Sequence, residues 1–135
     1  MNRLEFRERE AGSVAATYEL LTTLAESHLG LRQSAILDSV LGLERTRRTW
    51  SEVAHRFEAQ FRAVECICSD DELHRQRIEG RNRGIPGWYE PSWEDIGATR
   101  HRFEVWRDER RVLDAVMPLQ SNLVTLEQCL GNKFQ

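Results

Sequence analysis

"SAILDSVLGLERTRRTWSEVAHRFEAQFRAVECIC", residues 34–68, carries the longest regular pattern in the chain. From Ile36, spacings of four and three residues alternate through Val40, Leu43, Arg47, Trp50, Ala54, Phe57, Phe61, Val64 and Cys68. Side chains three and four apart share one face of an α-helix. Arg47 is the one rung that is neither apolar nor small, no proline interrupts the run, and Gly42 is its single glycine. The spacing predicts one helix over 34–68, some 50 Å long at about 1.5 Å per residue. A rod of that length with one apolar stripe needs partners along it.

The flanking segments read in the same way. Before it, Val14, Tyr18, Leu21, Leu24 and His28 make a helix face over 13–29, with Gly30 placed to end the helix in the left-handed region. The first dozen residues form a charged arm, helical or frayed. After it, Ser69 and Glu72 have capping-box spacing and open a short helix that Gly80 stops. "GIPGWYEP", residues 84–91, breaks helix with two glycines and two prolines. Ser92 with Asp95 opens the next ladder, Ile96, Thr99, Phe103, Trp106, Arg110, Leu113 and Met117, which predicts a helix over 92–117. Pro118 kinks that helix or starts another, carrying Leu119, Leu123, Leu126 and Leu130 up to Gly131. The expected fold is all-α: a single domain over 1–135, an antiparallel three- or four-helix bundle. Its two long helices, 34–68 and 92–117, are joined by the Gly/Pro/aromatic linker and meet in a coiled-coil-like seam.

Composition narrows the function classes. A 135-residue chain with 40% apolar and 30% charged residues is an ordinary globular domain. It holds no apolar run long enough for a membrane span, and its charged start is unlike a secretory signal, so a cytoplasmic location is expected. A net charge of −3 disfavours a dedicated nucleic-acid binder. Of the 19 basic residues only Lys133 is lysine; the rest are arginine. Cys66, Cys68 and Cys129 form no CxxC and read as free thiols of a reducing compartment.

Motifs that would carry chemistry are sparse. Glu52 and His55 match Glu-x-x-His, but both fall off the apolar face of the predicted helix, as do His101 and Glu104, so no metal centre is expected. The sequence has no GxSxG, GxGxxG or GxxxxGK[ST] stretch, so no cofactor is expected either. Arg47 and Arg110 interrupt the two ladders. In an antiparallel pair they fall within about one turn of each other, either as a buried polar layer needing carboxylate partners or at the stripe edge, reaching outward.

Arg75, Arg77, Arg81 and Arg83 run directly into Trp88, Tyr89 and Trp93. Guanidiniums beside stacking aromatics suit a nucleotide or single-stranded nucleic acid, and equally a protein hot spot. Acidic flanks at 70–72 and 90–95 favour a protein partner or pairing within the chain. The aromatics can also fold back as a lid over the bundle end. The reading that results is a non-enzymatic helical interaction module, as adaptor, chaperone-like partner or assembly subunit. It binds a protein partner or a second copy through Trp88, Tyr89, Trp93, Arg81 and Arg83. A nucleic-acid-associated helical protein and a small enzyme with an unrecognised site are its rivals.

Overall fold

The computed structural model describes residues 3–131, with side chains from residue 13 onward. Among these residues the chain forms α1 (Arg3–Gly30), α2 (Glu44–Arg56), β1 (Val64–Ile67), α3 (Asp71–Glu79), α4 (Trp93–Arg100), β2 (Arg111–Asp114) and α5 (Leu119–Leu130). The fold is therefore α/β, with β1 and β2 paired in parallel from Val64 opposite Arg111 to Ile67 opposite Asp114. The all-α bundle is overturned, and with it the coiled-coil-like seam. The expected 34–68 helix has no regular secondary structure to Leu43, is helix only over Glu44–Arg56, and is strand at Val64–Ile67. The expected 92–117 helix stops at Arg100, and its far end is the strand Arg111–Asp114. No helix of the described residues is long and apolar enough to cross a membrane.

Backbone geometry gives the physical reason. Glu58 sits in the left-handed region at φ 54°. Its N–H bonds to the His55 carbonyl at 3.0 Å and that of Ala59 to the Ala54 carbonyl at 2.9 Å. This is the Schellman closure of a helix end, formed without its usual glycine. Arg32 does the same for α1, at φ 59°, with Gln33 N–H on the His28 carbonyl at 2.9 Å. Gly30, the expected left-handed stop, is instead the last helical residue. Glu58 does not announce a helix end by composition, so the 34–68 ladder reads on past it.

The chain divides into two compact units, the first running to Phe61 and including Asn82–Val105, the second comprising Arg62–Arg81 and Trp106 onward. In the first, Ala25 of α1 packs in a small core with Trp50, Val53 and Ala54 of α2. The Trp50 indole N–H donates to the Thr22 hydroxyl at 2.9 Å, and its ring lies 6.0 Å from that of Tyr18. The rungs Arg47, Trp50 and Ala54 are buried on α2, together with Val53, which the ladder did not name. Arg56 pairs with Glu26, a second tie between α1 and α2. Leu43 offers α2 no side-chain cap, and the Glu104 carboxylate accepts the Glu44 N–H instead. Glu104 N–H in turn donates to the Gly42 carbonyl at 2.9 Å. The Phe103 ring packs so closely on Gly42 that a Cβ there would lie 2.6 Å from it.

The second unit holds β1, α3, β2 and α5. Arg111 N–H extends the ladder to the Ala63 carbonyl at 2.9 Å, and Ala115 N–H to that of Ile67 at 2.8 Å. Pro118 starts α5 rather than kinking a longer helix, and Gly131 closes it at φ 80°. No described residue of this unit is fully buried.

Replacing Glu58 with glycine removes the left-handed penalty and is expected to stabilise the chain by about 1 kcal/mol, after the larger unfolded-state entropy of glycine is subtracted. Gly42→Ala is expected to destabilise it by roughly 1–3 kcal/mol through the clash with Phe103. Thermal unfolding of the two variants beside the parent checks both signs.

Candidate functional site

Three places in the described residues gather polar or aromatic side chains. The first is the loop from Asn82 to Ser92, which lies in the first unit. Positive φ at Gly84, 63°, and Gly87, 73°, turns the chain twice. Glu90 ties the ends together, accepting the Arg83 N–H at 2.9 Å and pairing with its guanidinium at 3.4 Å. That guanidinium lies 5.6 Å over the Trp88 ring. The expected capping box forms in full: the Ser92 hydroxyl accepts the Asp95 N–H and the Asp95 carboxylate accepts the Ser92 N–H. The same carboxylate takes the Tyr89 hydroxyl at 2.6 Å. Trp93 stacks with Arg100, 5.3 Å from guanidinium to ring.

The acidic flank that argued against an anion here is thus spent on the loop itself. Trp88 is 48% exposed and Ile85 51%, while Tyr89 and Trp93 are half-buried. None of the three aromatics is buried as a core lid would be. Arg83 belongs with Trp88, Tyr89 and Trp93 in the first unit, whereas Arg81 ends the first segment of the second.

Arg47 and Arg110 likewise fall in different units. Arg47 is buried, 3% exposed, and donates to the Leu41 carbonyl at 2.8 Å. Arg110 pairs with Glu65 of β1 and lies 5.3 Å over the Trp106 ring. The polar layer needed two antiparallel helices that the chain does not build.

The second place is a groove of about 600 Å³ between α1 and α2, lined among others by Tyr18, Thr22, Arg45, Thr49 and Trp50. Its hydroxyls turn onto helix carbonyls, Thr22 to Tyr18 at 2.7 Å and Thr49 to Arg45 at 3.0 Å. Such bonds serve the helices more than a ligand.

The third place was missed by the sequence. At the carboxyl ends of β1 and β2, the Asp114 carboxylate accepts the backbone N–H of Ser69 at 3.1 Å and of Val116 at 3.2 Å. Asn122 of α5 donates to the Asp114 carbonyl at 2.8 Å, and Arg77 of α3 to that of Ala115 at 3.1 Å. Asp70, rather than the expected Ser69, caps α3 by accepting the Leu73 N–H at 2.9 Å. The available signal was a pair of short apolar runs, "AVECIC" and "VLDAV", one leading into acidic cap residues and the other into a proline.

A side-chain hydrogen bond from Ser69, helped by the backbone N–H groups of Ser69 and Val116, holds the Asp114 carboxyl below its ordinary value of 3.8. A depressed carboxylate stabilises the fold above its unfolded pKa, and that contribution is lost as pH falls through the folded value. Urea unfolding of the parent and of Asp114→Asn is therefore expected to show a stability gap at pH 7 that narrows below about pH 4.

No curated protein and no solved structure matches the chain. The AAA domain family, of P-loop kinase-like fold, matches it over residues 3–105. That match agrees with the α/β architecture and overturns the reading of a purely non-enzymatic interaction module, because such a domain suggests nucleotide binding. The stretch matched is most of the chain, which belongs to the AAA domain family.

Proposed function

We propose that the chain serves nucleotide recognition of the P-loop NTPase or kinase-like kind. The observation that carries this reading is the family match across residues 3–105. Two parallel strands that each lead into a helix, β1 into α3 and β2 into α5, support it. Open α/β sheets take ligands at the carboxyl ends of their strands.

A nucleotide of this family brings phosphates and a divalent cation, and the strand–helix junctions described here do not fit them. A phosphate loop presents glycine-rich backbone and a lysine at a helix N-terminus. The β1–α3 junction reads Cys68-Ser69-Asp70-Asp71-Glu72, with acidic residues at the cap and in the first turn. The β2–α5 junction ends in Pro118, which has no N–H to give. No step of phosphate chemistry is assigned to these residues.

The nucleoside end fits the chain better. The Trp88 indole offers an exposed π surface on a loop braced by Glu90 and Asp95, with Arg83 beside it. Stacking of a base on such a ring contributes about 1–3 kcal/mol. Tyr89 and Trp93 then hold the loop through Asp95 and Arg100. A protein partner, either a second copy or another chain, goes with this reading on the second unit. There Leu119, Leu123 and Val124 of α5 are exposed at 75%, 40% and 43%.

Equilibrium dialysis against radiolabelled adenosine and ATP tests the nucleotide reading. Saturable binding is expected in the parent, weakened about 5- to 150-fold by Trp88→Ala. Equal affinity of parent and variant removes the loop from the site, and absence of binding to either ligand removes the nucleotide reading.

A further inference from the structure

The groove between α1 and α2 lies within the first unit, and its two walls carry opposite charges. Glu19 stands on the α1 wall and Arg45 on the α2 wall, both exposed. Elsewhere the same two helices join such charges directly, as Glu26 to Arg56. Among the described residues no ion pair or side-chain hydrogen bond engages Glu19 or Arg45. Glu44, the carboxylate next to Arg45 in sequence, is paired with Arg48 at 2.9 Å.

The space between the walls suits hydrogen-bond donors and a small apolar group. The Thr23 and Thr49 hydroxyls give their hydrogens to the Glu19 and Arg45 carbonyls at 2.9 and 3.0 Å, so toward a ligand each oxygen can only accept. The Tyr18 hydroxyl donates to the Val40 carbonyl and the Trp50 N–H to Thr22, which leaves the two rings as the apolar part of the lining. A volume of about 600 Å³ is in the range of small-molecule sites. A simple anion would gain Arg45 and be opposed by Glu19, and a simple cation would meet the reverse. A ligand with both charges satisfies both walls.

We propose that this groove binds a small zwitterion, an α-amino acid with an apolar side chain. Its carboxylate is taken by Arg45, its ammonium by Glu19 and the threonine oxygens, and its side chain lies against Tyr18 and Trp50. The site shares no residue with the loop from Asn82 to Ser92 and does not rest on the nucleotide reading.

The test titrates the whole isotope-labelled chain with phenylalanine, phenethylamine and phenylpropionate, following the NMR signals of the indole N–H groups. Phenylalanine is expected to shift the Trp50 signal saturably, and each singly charged analogue to bind at least about fivefold more weakly, because each loses one partly solvated charged contact. Glu19→Gln and Arg45→Gln, at exposed positions, are expected to weaken phenylalanine by a similar factor while the rest of the spectrum is kept. Equal affinity for all three ligands overturns the proposal, as does phenylalanine affinity unchanged in both variants. So does a saturable shift at Trp88, Trp93 or Trp106 with none at Trp50, or no saturable shift with phenylalanine.

Discussion

Glu58 turns the chain out of α2 at φ 54°, and the rest of the fold depends on that turn. An L-residue in the left-handed region costs about 1–2 kcal/mol. Here the cost is offset by two closing hydrogen bonds, from Glu58 to His55 and from Ala59 to Ala54. Were residue 58 helical, the ladder through Phe61, Val64 and Cys68 would continue as one rod and β1 could not form. Without β1, Arg111–Asp114 would have no strand to pair with, and Ser69 and Asp114 would not meet. The equivalent turn at Arg32 ends α1, and residues 33–43 lead to α2 without regular secondary structure.

The two units are held by different kinds of interaction. The first relies on apolar packing around Trp50, with Arg47 buried beside it and donating to the Leu41 carbonyl. The second has no buried residue among those described and relies on directed bonds: the strand ladder, the Asp114 carboxylate, Asn122 and Arg77. Burial of one leucine-sized side chain contributes about 1.5–3 kcal/mol, whereas one net hydrogen bond contributes about 0.5–1.5. The second unit therefore depends on many modest terms at once, which is also why exposed Leu119 and Leu123 make a covering partner physically attractive.

How much of this could be read from the sequence follows from which signals are local. The helix over 13–29, the start of α4 at Ser92 and Asp95, and the end of α5 at Gly131 depend on periodicity or on caps within a few residues, and each was legible. Trp50 and Ala54 were placed correctly on an inward face. The strands were not legible, because a run such as "AVECIC" in a parallel pair shows no alternation and satisfies a helical ladder equally well. Counting Arg110 as a rung carried the second ladder on from α4 into the strand Arg111–Asp114. Asp114 was hidden for the same reason: its partner Ser69 lies on a distant segment that only the parallel register brings to it.

The exposed loop shows how charge can mislead when counted rather than placed. The acidic flanks at 70–72 and 90–95, weighed as bare charge, favoured either pairing within the chain or a protein partner. Placed in the loop, Glu90 fixes the Arg83 backbone and guanidinium together, and the guanidinium is thereby set over Trp88. Asp95 likewise spends its charge on Ser92 and Tyr89. Carboxylates committed to N–H and O–H donors oppose an incoming ligand less than the same charges would if they projected outward. At the strand ends Asp114 is committed in the same way to the N–H groups of Ser69 and Val116, and Asp70 to that of Leu73. Carboxylates thus brace an aromatic loop in the first unit and fix the strand ends in the second, and the difference lies in which donors each one satisfies.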